Sequence, residues 1–455
     1  MPIDKFFSIN PYTQEIIYEH PAHTSREISL ALYRAEKSFI SWKTNKNRFN
    51  LLEKLASVLQ QRKKALSECI TLEMGKLISE AEAEVEKSIQ ICKYYAQHGE
   101  KFLQPENIHS ARIKAQIYYQ PTGCVLGIMP WNFPVWQTMR YAIPTLCAGN
   151  VTILKLAPNT FECANLLENI FREAEFPEGT FQSLRIDVEQ IEQIVASPIV
   201  SGVTLTGSSR AGKAVAQLAG KYLKKTVLEL GGSDGFLVDA SADIALAAKV
   251  GAQSRLINAG QSCIAAKRFI VHQDVFEIFI ELFIKHLTDV KIGNPLENTT
   301  TLAPLARPDL CQNIRHQFEA SSCVSDVEIL LRPHSEKNFF TPAVLSGKNI
   351  TQTIAFKEET FGPLAVVVKA SSMEEMIDLA NQTIYGLGCT IFTNPEHVDK
   401  WLSRASDFQV GQISFNALLR SDWELPFGGI KQSGYGKELG IAGMREFLNL
   451  QSITF

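Results

Sequence analysis

Apolar positions in the first quarter of the chain recur at three- and four-residue spacing, as in Leu51, Leu52, Leu55 and Leu59, which puts them on one helix face. Thr24 followed by Glu27 has the spacing of a capping box, so helical structure is predicted from there to about Gln104. The pattern then changes. Ile113 to Pro121 partly alternates and ends at proline, which predicts a strand with one exposed face. Beyond it, short apolar runs predict strands at Cys124 to Met129, Val151 to Leu156, Val203 to Thr206 and Val227 to Leu230, with intervening helices such as Glu162 to Ala174. This is the β-α alternation of a parallel sheet covered on both faces.

A second series follows. A helix from about Asp243 to Ala259, a strand at Arg268 to Val271 and a helix opening with the capping pair Asp274 and Glu277 lead to strands at Ala365 to Lys369, Cys389 to Thr393 and Gln412 to Phe415. These predict another α/β unit. No repeat, low-complexity tract or flexible linker separates the two series, so the boundary is a compact crossing near Leu230 to Gly232. Met444 to Phe455 ends in an apolar tail that would be costly to leave in water, and it is expected to pair with another subunit.

Composition narrows the possibilities without choosing among them. At 455 residues, 45% apolar, 20% charged and with a net charge of −3, the chain reads as an ordinary globular protein of two or three domains. Lys221, Lys224 and Lys225 form a short basic cluster, read as a solvated helix end and not a nucleic-acid patch. Met1-Pro2-Ile3-Asp4-Lys5 lacks the basic-then-apolar order of a leader, and no run of roughly 18 apolar residues is free of charge, so a cytoplasmic location without membrane contact is expected. Nine cysteines show neither C-x-x-C nor metal-ligand spacing, so no metal is expected and most should be reduced core thiols.

Four segments carry candidate chemistry. Cys263 ends Asn258-Ala-Gly-Gln-Ser-Cys263, a glycine-containing turn between helix and strand where a thiolate and oxyanion-binding N–H groups could sit together; taken alone, a cysteine is far more often a core residue. Glu229 is an acid in an apolar strand that ends in paired glycines, either a general base with a raised pKa or a structural cap. Asn132 follows a strand end and offers a neutral amide to an oxyanion, or an Asx turn before Pro134. Thr206-Gly207-Ser208 opens a helix, so it could face a pyrophosphate or be a simple capping turn.

Taken in order, Pro130-Trp-Asn-Phe-Pro134, Leu154-Lys155, Thr206-Gly-Ser208, Glu229-Leu-Gly-Gly232, Gly260-Gln-Ser-Cys263, Glu358-Glu-Thr-Phe-Gly-Pro363 and Pro426-Phe-Gly-Gly429 resemble the aldehyde dehydrogenase superfamily over nearly the whole chain. The resemblance implies an α/β fold with a Rossmann-type cofactor domain (1–110 and 125–229), an α/β catalytic domain (230–430) and a small β oligomerisation arm (111–124 and 431–455). It implies Cys263 as nucleophile, Glu229 as general base and Asn132 as oxyanion donor. Trp131, Lys155, Gly207, Ser208, Glu359 and Phe361 would hold NAD or NADP, and Phe427 would line the substrate entrance. Many NAD-preferring members carry a glutamate three residues after the ribose-binding lysine; Pro158 stands here, which removes a barrier to the 2′-phosphate of NADP.

Within the family, Trp131 to Arg140, Ala148 to Asn159, Leu228 to Asp234 and Cys263 to Phe269 resemble the bacterial NAD(P)-dependent succinate-semialdehyde dehydrogenases. Succinic semialdehyde is therefore the expected substrate. Arg140, on a helix that would begin after Asn132, is the expected carboxylate clamp, with a salt bridge as the alternative and Arg420 as a second candidate. Another hydrolysed aldehyde is the alternative substrate. A CoA-acylating enzyme would not need Glu229. The expected assembly is a homodimer or homotetramer.

Overall fold

The computed structural model describes residues 3–455; the first two residues of the expected 1–110 segment, and of the leader reading, lie outside the described residues. Two sheets organise the chain. The first has the order Gly434–Tyr435, Lys225–Glu229, Val200–Thr206, Cys124–Ile128, Val151–Lys155, Phe181–Ser183, and only its first, two-residue strand runs antiparallel. Cys124–Ile128 is buried throughout, as a central strand with helices on both faces must be. The chain goes to opposite sides of that strand with Val151–Lys155 and Val200–Thr206, which makes a topological switch point at their carboxyl ends.

The second sheet has the order Val327–Leu331, Ala343–Gly347, Leu364–Ala370, Arg268–His272, Gly235–Val238, Gly388–Phe392, Gln412–Phe415, parallel except at its first edge. Every strand predicted above is present within three residues of its expected bounds. Leu230 to Asp234 joins the sheets, since Glu229 ends a strand of one and Gly235 begins a strand of the other.

Several local expectations are corrected. The helical stretch after Thr24 is three helices, Ser25–Trp42, Arg48–Met74 and Ile78–Phe102, with the second ended by Gly75 in left-handed conformation (φ 81). Its capping box at Thr24 and Glu27 is formed. The pair Asp274 and Glu277 is not a cap: His272 Nδ1 accepts from the Asp274 N–H instead, and the helix starts at Phe276. Within 431–455, Gly434–Tyr435 extends the first sheet and only Leu448–Thr454 pairs with Lys114–Pro121, so the arm sheet is shorter than that segment. Glu106–His109 completes it on the other edge. Cys323 is exposed, against the expectation for most cysteines, while seven others are buried. The basic cluster is solvated as expected, with Lys221 paired to Glu192 and Lys225 to Glu446. No helix among the described residues is long and apolar enough to cross a membrane.

Candidate active site

Four expected site residues stand at the carboxyl ends of parallel strands in the first sheet. Asn132 follows Cys124–Ile128, Lys155 ends its strand, Ser208 follows Val200–Thr206, and Glu229 ends Lys225–Glu229. Cys263 reaches them from a loop of the second unit.

That loop is held in a strained shape. The helix expected to run to Ala259 stops at Leu256, because Asn258 and Ala259 adopt left-handed backbone (φ 52 and 53). Non-glycine residues stay there only when their surroundings fix them. The Asn258 N–H donates to Glu80 Oε1 at 2.8 Å, and its side-chain amide donates to the carbonyls of Asn132 (2.9 Å) and Gln261 (3.2 Å). Gly260 follows at φ 78; a Cβ there would lie 2.4 Å from the Gly362 carbonyl carbon, which leaves no room for another residue. From the opposite side the fully buried Lys267 donates to the carbonyls of Ser262, Cys263 and Ala265 at 3.0, 2.8 and 2.9 Å. All three ammonium protons are thereby used to fix the turn around Cys263.

The turn leaves donors free. The Cys263 N–H has no acceptor among the described residues, and Asn132 uses one amide hydrogen on the Gln261 carbonyl at 3.0 Å. The remaining Asn132 hydrogen and the Cys263 N–H can serve an oxyanion. The thiol itself is half-buried. Burial pushes it up to about 12, Arg140 and Lys267 pull it down, and Glu359 and Asp234 push it further up.

Glu229 is 2% exposed, and neither carboxylate oxygen has a hydrogen-bond partner. Gly428 makes room for it, since a Cβ there would come within 2.5 Å of Glu229 Oε1. Burial raises its pKa well above the ordinary carboxylate range; Glu438 adds to the rise, and Arg140 and Lys437 oppose it. A buried acid with both oxygens unpartnered and a raised pKa suits proton exchange with water better than a structural cap does.

Arg140 sits in the helix Pro134–Cys147, every residue of which is buried. The alternative weighed for it is present: its guanidinium forms an ion pair with the buried Glu438, donates from Nη2 to Thr206 Oγ1 at 3.0 Å and lies 4.8 Å from the Phe427 ring centroid. Glu438 also accepts from Thr204 Oγ1 at 3.1 Å. Arg140→Met is expected to leave the buried Glu438 without its ion-pair partner, costing about 3 to 5 kcal/mol of stability. A thermal melt within a degree of wild type would contradict this.

A cavity of about 560 Å³ opens between the helices Ile78–Phe102 and Pro134–Cys147 and the segment 418–427. Cys263, Arg140, Phe427 and Arg420 line it together, whereas Asn132 and Glu229 do not reach its wall. Phe427 is nearly buried and Arg420 is exposed.

The residues expected at a dinucleotide are arranged as follows. Lys155 is buried, and no hydrogen bond or ion pair engages its ammonium among the described residues; burial lowers its pKa and Asp187 opposes that. The ammonium is left without a protein acceptor, which a ligand could supply. The Gly207 N–H is already given to the Glu229 carbonyl at 2.9 Å and is not free for a pyrophosphate. Ser208 caps the helix Ser209–Lys221 through a bond from the Ala211 N–H, so an anion would meet the start of that helix instead. Glu359 Oε1 accepts the Gly232 N–H at 3.0 Å, and Trp131 meets Phe361 edge to face at 5.7 Å. Pro158 is exposed and brings no carboxylate near Lys155.

Sequence reasoning missed Lys267, Asn258, Asp234 and Glu438. The signal for Lys267 was available as a lysine inside Cys263-Ile-Ala-Ala-Lys267-Arg268-Phe269, directly before an apolar strand, where a charge must find partners.

Three comparisons with known proteins identify the family. Residues 3–453 match the model of the aldehyde dehydrogenase family. The chain is 39% identical to the Escherichia coli (strain K12) succinate semialdehyde dehydrogenase Sad, whose name carries NAD(P)+, over 99% of this chain and 98% of that one. It is 38% identical to succinate-semialdehyde dehydrogenase 1 of Mycobacterium tuberculosis H37Rv, named with NADP(+), over 98% of each chain. The crystal structure of succinic semialdehyde dehydrogenase from Streptococcus pyogenes in complex with NADP+ superposes with a TM-score of 0.95 at 35% identity, covering 98% of this chain and 99% of that one. With its fold, the loop around Cys263 and these full-length matches in agreement, the chain belongs to the aldehyde dehydrogenase family.

Proposed function

We propose that the protein oxidises succinic semialdehyde to succinate with NAD or NADP and water. The observation that carries this reading is that the Cys263 thiol lines one cavity together with the cations Arg140 and Arg420, so a nucleophile for the aldehyde end and positive charge for a carboxylate share one space. The names of the full-length relatives support the same substrate and either cofactor.

In the proposed cycle the Cys263 thiol loses its proton and the thiolate adds to the aldehyde carbon, while Asn132 and the Cys263 N–H hold the oxyanion. A bound nicotinamide supplies the acceptor for the aldehyde hydride. Lys155, the start of helix Ser209–Lys221 and Glu359 fit such a cofactor, with Trp131 and Phe361 beside it. The thioester left on Cys263 is then hydrolysed by water that Glu229 deprotonates, returning the thiol and releasing the acid. Each turnover consumes aldehyde, oxidised cofactor and water, and yields acid, reduced cofactor and a proton.

A panel of aldehydes assayed with NAD and NADP, with and without CoA, tests this. Succinic semialdehyde should show the highest kcat/KM, both cofactors should turn over, and CoA should be unnecessary. Preference for butanal, or dependence on CoA, would overturn the reading.

We further propose a homodimer or homotetramer built on the sheet of Glu106–His109, Lys114–Pro121 and Leu448–Thr454. Leu450, Ile453 and Phe455 are exposed along its edge strand and tail, where a partner would cover them. A monomer mass by light scattering would contradict it.

A further inference from the structure

The cavity holds a third cation that the reading above does not use. Lys87, on helix Ile78–Phe102, lines it together with Cys263. Its ammonium donates to Ser421 Oγ at 2.9 Å and lies 4.0 Å from the Trp136 ring centroid, while Trp136 Nε1 donates to the same Ser421 oxygen at 3.0 Å. Those contacts aim the side chain without neutralising it, and no carboxylate among the described residues forms an ion pair with Lys87. The nearby acids have other contacts, although one Glu80 oxygen has no hydrogen-bond partner. Glu84 pairs with Lys76 and accepts the N–H groups of Val135 and Trp136, Glu86 pairs with Lys63, Glu80 accepts the Asn258 N–H, and Asp422 accepts the Glu424 N–H.

The two arginines are less suited to a substrate carboxylate. Arg140 is ion-paired with Glu438 and bonded to Thr206, and Arg420 is exposed, where water screens its charge. Lys87 is half-buried, retains unused donors and is shielded by an indole face. We infer that Lys87 is the residue that binds the carboxylate of the aldehyde substrate, holding its acid end while Cys263 takes the aldehyde end in the same cavity. This rests on succinic semialdehyde being the substrate.

Desolvation lowers the Lys87 pKa to about 7, with Arg140 and Arg420 also lowering it and Asp422 and Glu84 opposing. The ammonium is therefore lost as pH rises through about 7 in the free enzyme, and carboxylate binding weakens over that window.

The test compares kcat/KM for succinic semialdehyde with that for butanal, as a ratio, in wild type, Lys87→Met and Lys87→Arg across this pH range. The wild-type ratio should exceed one and fall as pH rises through about 7. In Lys87→Met it should drop by about 10- to 100-fold, mainly through KM, and lose its pH dependence, since hydrogen bonds to charged groups are worth that much. Lys87→Arg should recover most of the loss and move the pH limb upward. A wild-type ratio above one that Lys87→Met leaves unchanged would overturn the assignment while the substrate reading stands. A wild-type ratio below one would remove the substrate reading, and this inference with it.

Discussion

Cys263→Ala is expected to abolish aldehyde oxidation, with kcat lower by on the order of 10⁴-fold or more, because no other group can form the thioester. Titration with reduced cofactor should give nearly unchanged affinity, since Lys155 and the start of helix Ser209–Lys221 lie on the first sheet and do not depend on the thiol. The other cysteines offer no substitute: seven are buried, and Cys323 is exposed and does not line the cavity. The same thiol sets a pH signature. With burial raising its pKa to about 12, the thiolate fraction in the cofactor-free enzyme should rise about tenfold per pH unit, and so should alkylation of Cys263 by iodoacetamide. A rate that levels off near neutral pH would show a lower thiol pKa. Residual oxidation by Cys263→Ala at a tenth of the wild-type rate would remove the nucleophile assignment.

Glu229→Gln should separate the two halves of the reaction. Hydride transfer needs Cys263 and the oxyanion donors and not Glu229, so rapid mixing should give a burst of reduced cofactor close to one equivalent per site. Steady turnover should then fall by roughly 10²- to 10⁴-fold, the usual contribution of a general base. The amide fits the same space beside Gly428 and removes an acid that burial already destabilises in its charged form, so folding should be little affected. A normal steady-state rate would remove the base assignment.

Much of the fold was legible because apolar runs such as Cys124–Ile128 and Val151–Lys155 are buried on both faces, and burial of that kind leaves a continuous pattern in sequence. The order of motifs identified the family, and Asn132, Lys155, Ser208 and Glu229 fell at strand ends where a parallel sheet presents them. What was not legible depends on contacts between distant segments. The left-handed backbone at Asn258 and Ala259 depends on partners distant in sequence; Glu80 and Asn132 hold it from elsewhere in the fold. Arg140 could be placed near the site from its helix, but the partner that takes its charge, Glu438, is 298 positions away and returns through the strand Gly434–Tyr435. Lys87 was invisible for a similar reason, because its surroundings are assembled from four separate segments.

The central claim is a covalent acyl intermediate on Cys263 that Glu229 helps water to remove. Peptide mass spectrometry of Glu229→Gln, quenched in acid after mixing with succinic semialdehyde and oxidised cofactor, tests it most directly. The account predicts a succinyl group on Cys263, in an amount that matches the burst of reduced cofactor; a burst with Cys263 unmodified, or with the acyl group on another residue, would contradict it.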